Sequence, residues 1–249
     1  MNKKALRLSQ TISHELVESG AKAVVLMGSF ARGDAYEESD IDIHAIGKGI
    51  HYRLERRHGF LVSISWSTSK QDRRAFEDPS IAGGIVPAWR DAIILNDPTG
   101  IAKGLKQEAI DWKWESLSKR ADKWVAEELT GWAEEVHKLV GALRLRHSSV
   151  AAVQRSLLAT SMARILAVYH RILYNTENQM WDLASRKMGK DWEHLQMAAL
   201  GTDDESFKDT CNAALQLFAT TALEVKRLMD ERQYDVVANA CRIAGHPLL

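Results

Sequence analysis

The sequence predicts an α+β protein: a mixed sheet with flanking helices over residues 1–112, then an all-helical bundle over 113–249. Three observations carry this. Short β-rich runs alternate with helical stretches in the first part only. Proline is absent between Pro98 and Pro247. From Leu117 onward, apolar residues recur every three or four positions, the period of an amphipathic helix.

The elements follow in order. Leu6, Ile12, Leu16 and Val17 share one face of a first helix, which Gly20 stops. AKAVVLM (21–27) is a short apolar run and reads as a buried strand. SDIDIHAI (39–46) alternates polar and apolar strictly, so it reads as a second strand. GFLVSISWS (59–67) is a third, and DAIILND (91–97), ended by Asp97-Pro98, a fourth. Helical segments are expected at 69–77 and 99–112. The basic stretch RLERRHGF (53–60) reads as a solvated loop with some capacity to touch phosphate. In the second part, Leu117, Ala121, Trp124, Val125, Leu129, Trp132, Val136, Leu139 and Leu143 mark one long helix. Further helices are expected at 150–174 and 205–233, with shorter ones around 179–199 and 234–243 and breaks at Gly189 and Gly201.

Composition narrows the function classes. Lys plus Arg equals Asp plus Glu at 33 each, so no global field draws in nucleic acid. The amino terminus lacks the apolar core of a signal peptide, and no run approaches the ~18 apolar residues of a membrane span. Cys211 and Cys241 form no C-x-x-C and no metal spacing. A cytoplasmic location with both thiols reduced is expected. The oligomeric state stays open, a homodimer included.

The chemistry concentrates in LMGSFARGDAYEESDIDIHAI, residues 26–46. Gly28-Ser29 follows directly on the first strand, where a glycine permits close approach by a ligand. Ser29 adds a hydroxyl and Arg32 a planar charged fork suited to phosphate oxygens. Alone, GSFARG also fits an ordinary surface turn. It is neither a Walker A loop nor G-x-G-x-x-G. Asp40 and Asp42 lie two apart on the next strand and so share a face. Two like charges there repel unless a cation lies between them, and such oxygen ligands suit Mg²⁺ with substrate phosphates. A solvated strand face fits as well. The combination is more specific, because all parts of a Mg-nucleotide site fall between Gly28 and Asp42.

This pattern resembles the signature of the nucleotidyltransferase superfamily that includes DNA polymerase beta and kanamycin nucleotidyltransferase. It stands here as GSFARG (28–33) followed by SDIDI (39–43). RDAIILNDPTG also looks like the last strand and turn of that domain, and a helical second domain is typical of antibiotic-modifying relatives. The resemblance implies that Gly28, Ser29, Arg32 and Ser39 bind a nucleoside triphosphate, ATP for preference. It implies that Asp40 and Asp42 are catalytic and bind Mg²⁺. The reaction it implies moves a nucleoside monophosphate onto a hydroxyl of an aminoglycoside-like small molecule or of a protein, bound by the helical domain.

One departure stands out. Active relatives place a third carboxylate on the neighbouring strand, and GFLVSISWS offers only Ser63 and Ser65 there. A carboxylate from Glu127, Glu128, Glu134 or Glu135, or the imidazole of His44, is a candidate replacement. The other reading is a nucleotide-binding protein with weak or no catalysis, acting through its helical domain in a regulatory or toxin–antitoxin-like role.

Overall fold

The computed structural model describes residues 3–202 and 204–248. The chain divides into two compact units, residues 1–116 and 117–249.

The first unit is built on a five-stranded sheet in the order β3-β4-β2-β1-β5. Its strands are β1 (Ala23–Met27), β2 (Ile41–Ile46), β3 (Tyr52–Arg57), β4 (Phe60–Ser67) and β5 (Ile93–Asn96). β2 and β4 run parallel, and the other neighbours run antiparallel. The sheet is thus mixed, as the sequence predicts. Helix α1 (Lys3–Glu18) covers one face through Leu8, Ile12 and Leu16. These pack with Val24, Leu26, Ile41, Ile43, Val62 and Ile64, the alternate residues of three strands. Each such side chain contributes about 1.5–3 kcal/mol on burial, which fixes the register. The residues between them, Asp42, His44, Ser63 and Ser65, must then face the other way.

Two elements depart from what the sequence pattern predicts. β3 occupies the stretch read as a solvated loop, because its charges alternate across an edge strand that pairs on one side only. Helix α4 (Pro79–Asp91) runs through Gly83, Gly84 and Pro87, residues that read as breakers. Asp78 caps its start by accepting from Ser80 N, and Ala82, Val86 and Trp89 bury one stripe. Tertiary burial outweighs local propensity here. A short helix, α2 (Gly28–Arg32), follows β1, and α3 (Ser69–Phe76) follows β4 behind a Thr68–Gln71 capping box. Helix α5 (Ile101–Asp111) ends where the Arg90 guanidinium donates to the Ala109 and Trp112 carbonyls, both at 2.8 Å.

The second unit is helical throughout: α6 (Ser118–Arg144), α7 (Ser148–Tyr169), α8 (Glu177–Met188), α9 (Lys190–Leu200), α10 (Phe207–Val225) and α11 (Glu231–Ile243). Gly189 and Gly201, at φ of 95° and 79°, separate α8, α9 and α10 as expected. The single helix expected at 205–233 is instead broken. A 3-10 turn at Lys226–Leu228 ends α10, and a capping box on Asp230 and Gln233 starts α11. Among the described residues, no helix is long and apolar enough to cross a membrane.

Candidate functional site

The site begins at the end of β1. Met27 pairs with Asp42 across the β1–β2 ladder, so Gly28 leaves the strand directly beside the Asp42 carboxylate. A Cβ on Gly28 would lie 2.0 Å from Asp42 Oδ2, and the backbone there is left-handed at φ 66°. Glycine suits the position on two counts: a Cβ would displace the Asp42 carboxylate, and the backbone angle is strained for any side chain.

Asp42 is the second residue of β2, opposite Ser63 on β4. Ser63 Oγ donates to Asp42 Oδ1 at 2.6 Å. Burial raises the Asp42 pKa above its ordinary value. The Ser63 hydrogen bond works against that shift, the Asp40 charge adds to it, and the Arg32 charge offsets part of it. A carboxylate in this condition gains from a nearby cation. Asp40 stands just before β2 rather than within it, since the strand begins at Ile41 and not at residue 39. The reason lies in the preceding turn, where Ser39 N donates to Tyr36 O and Tyr36 N donates to Ser39 Oγ at 3.0 Å. Ser39 is buried, and its hydroxyl closes the turn that presents Asp40.

Ser29 sits in the first turn of α2, and Arg32 ends that helix. Arg32 Nε donates to Asp34 Oδ2 at 3.1 Å, which orients the guanidinium fork. Gly28, Ser29, Arg32, Asp40 and Asp42 thus gather at one end of the sheet, and Ser39 supports the turn.

His44, the next residue on the Asp42 face, is held differently. Its Nδ1 lies 2.7 Å from Ser65 Oγ, and its Nε2 lies 3.0 Å from Ser67 Oγ and 3.1 Å from Asp72 Oδ1. Ser67 Oγ also donates to Asp72 Oδ2 at 2.6 Å. A carboxylate accepts, so Nε2–H donates toward Asp72, while Ser65 Oγ partners Nδ1. The ring also packs edge-on against Trp89, with centroids 5.7 Å apart. His44 therefore ties β2 and β4 to α3, and its ring nitrogens are engaged in that network. Asp72, buried at 5% exposure, was missed by sequence reading, because only the fold brings it 28 residues back to His44.

The acids of the first long helix have local partners in their own unit. Glu127 pairs with Lys123, Glu134 and Glu135 pair with Lys138, and Glu128 accepts from Trp132 Nε1. No group of three or more His, Cys, Asp or Glu residues suited to a metal occurs among the described residues. Two carboxylates remain, and their chemistry fits Mg²⁺, which is often bound by one or two carboxylates together with substrate phosphates.

Residues 10–82 match the sequence model of the nucleotidyltransferase domain family. That span holds β1 through β4 and every residue of the site. A solved nucleotidyltransferase-like protein from Exiguobacterium sibiricum has a similar fold, with a TM-score of 0.52 at 10% identity. The alignment covers 94% of this chain and 78% of that one. At this identity the likeness speaks to the fold alone. No curated protein matches the chain in sequence.

Proposed function

We propose, from a chain whose residues 10–82 form a nucleotidyltransferase domain, that the protein transfers a nucleoside monophosphate, AMP from ATP, to an acceptor hydroxyl. The family supports nucleotidyl transfer in general, and the site residues supply the detail. The carrying observation is the contact between Gly28 and Asp42. A Cβ at residue 28 would press on the half-buried Asp42 carboxylate, so a glycine turn and an acid stand close enough to serve one ligand.

Asp40 and Asp42 would hold Mg²⁺, which when bound offsets the negative charge of the phosphates and of the transition state. Ser63 holds Asp42 in place through its hydroxyl. Gly28 lets the triphosphate approach the backbone, and Ser29 and Arg32 donate to its oxygens. The acceptor oxygen forms a bond to the α-phosphorus as the bond to the β-phosphate oxygen breaks. Pyrophosphate leaves with the electron pair, and the acceptor's proton passes to solvent. The helical unit would add to acceptor binding or serve as an interaction domain.

One observation favours a second reading. Ser63 stands opposite Asp42, where a third carboxylate is expected. A positioned base is worth ~10²–10⁴ in rate, so its absence fits a nucleotide-binding protein with weak transfer. Incubation with Mg²⁺ and α-labelled ATP, alone and with candidate acceptors, separates the two. Label transfer that disappears in Asp42→Asn is expected of the enzyme. Tight binding without transfer or pyrophosphate release, with all four nucleotides and with Mn²⁺, would establish the second reading. Absence of nucleotide binding would remove both.

A further inference from the structure

The basic stretch at residues 53–60 forms β3 and its turn into β4, and the strand divides its charges between two faces. On the α1 side, Arg57 pairs with Glu15 and Glu55, and Arg53 approaches Glu55. Arg56 alternates to the other face, with Leu54 and Tyr52. That is the face of Asp42 and Ser63, because Leu54 pairs with Ser63 and Ser63 with Asp42. Arg56 pairs with Leu61. Ile41 pairs with Val62, so Leu61 stands level with Asp40. At about 4.8 Å per strand, the Arg56 backbone lies about 10 Å from that of Asp40. The floor between them is Leu61, 45% exposed. A cavity of about 450 Å³ opens at this end of the sheet, with Arg56, Leu61, Glu37, Glu38 and Ser39 on its wall and Lys4 of α1 reaching it from the other face.

The walls of this cavity differ in sign. Glu37 and Glu38 precede Asp40, so the end nearest the proposed metal ligands is acidic. Two acids there leave the anionic end of a substrate better matched to Arg56 than to the metal side. Arg56 stands at the far end, and its guanidinium fork matches a phosphate or carboxylate. The Gly28 turn lies on the β1 side of Asp42, and this cavity lies on the β4 side. The two substrates of a transfer reaction would thus approach from opposite flanks.

We propose that the acceptor is a hydroxyl compound carrying a phosphate or carboxylate, which Arg56 holds in the cavity beside Asp40. The proposal rests on the nucleotidyl-transfer reading and names its acceptor class.

The test uses the full chain with isotope labelling. First, a non-hydrolysable ATP analogue and Mg²⁺ are titrated into the wild type and Arg56→Gln. Equal affinities are expected. Failure of the wild type to bind would sink the underlying reading, whereas a loss confined to Arg56→Gln would move Arg56 to the nucleotide side and overturn the proposal. Second, inorganic phosphate, acetate and methylammonium are titrated separately into the analogue complex and followed by NMR. Phosphate or acetate should shift the Arg56 Nε–H and the amides of Gly59 and Leu61 saturably. Arg56→Gln should weaken this binding about 10- to 100-fold, the usual loss for a charge-assisted pair. Arg53→Gln, on the opposite face, should leave it unchanged, and Arg56→Lys should retain part of it. Shifts absent from these residues, unchanged in Arg56→Gln, or produced only by methylammonium near Glu37 and Glu38 would overturn the proposal.

Discussion

At the scale of single residues, Asp42 sets stability against function. Burial makes its carboxyl harder to ionise in the folded chain than in the unfolded one. The folded state therefore loses stability as pH rises from the ordinary carboxylate range through the raised value, and that loss persists at neutral pH. Asp42→Asn keeps an acceptor for Ser63 and removes the charge. Its melting temperature in metal-free buffer at neutral pH should exceed that of the wild type, by roughly 2–4 °C for each kcal/mol relieved. Below the ordinary carboxylate range the two should converge. Added Mg²⁺ and nucleotide should stabilise the wild type and not the variant, and calorimetry in both buffers checks this. Ser63→Ala removes the group that opposes the burial effect. Its Mg-dependent nucleotide affinity should fall about 10-fold or more, the usual scale for a hydrogen bond to a charged group. The acid limb of its binding-versus-pH curve should move to higher pH. An unmoved limb would show that Ser63 does not act on Asp42. The two thiols sit at the inert end of this scale, since burial pushes Cys241 to about 12.

At the scale of elements, the network around His44 joins α3 to the centre of the sheet. Asp72→Asn turns one acceptor into a donor facing Ser67 or His44. The expected cost is about 1–3 kcal/mol, seen as a lower urea midpoint with nucleotide affinity retained. Equal loss of both would mean that α3 supports the phosphate turn directly. Element by element, the sequence was legible where one rule acted alone. The alternation of Asp40, Asp42 and His44 with isoleucines marked β2, and the long apolar stripe marked α6. It was opaque where two rules collided. In α4, Gly83, Gly84 and Pro87 argued against a helix whose buried stripe argued for it. In β3, a charged edge strand looks like a loop, because Arg57 meets Glu55 and Glu15 only once the strand exists. The start of β2 shifted because Ser39 serves the preceding turn. The Asp72–His44 contact had no local signal at all.

At the scale of the whole molecule, the residues proposed to handle nucleotide lie between Gly28 and Ser63, inside the first unit. The second unit has a core of its own, with Leu129, Val136, Leu158, Ile165, Leu217 and Phe218 fully buried. Residues 117–249 expressed alone should give a helical circular dichroism spectrum and a cooperative melt. Residues 1–116 alone should keep the nucleotide affinity of the full chain within a few fold. A non-cooperative melt of the helical piece would show that its core depends on the rest of the chain.

The Gly28–Asp42 contact also orders the ways in which this protein can change over generations. While the carboxylate is in place, a side chain at residue 28 collides with it, so Gly28→Ala should abolish Mg-dependent nucleotide binding and lower the melting temperature. Replacing Asp42 by a smaller residue first removes the collision and leaves only the left-handed backbone to resist. Loss of the acid therefore opens a door for the glycine, while loss of the glycine is punished as long as the acid remains. Lineages descended from such a site that have given up the metal should show the acid lost before or together with the glycine. A chain that still carries both has not yet taken the first step on that path.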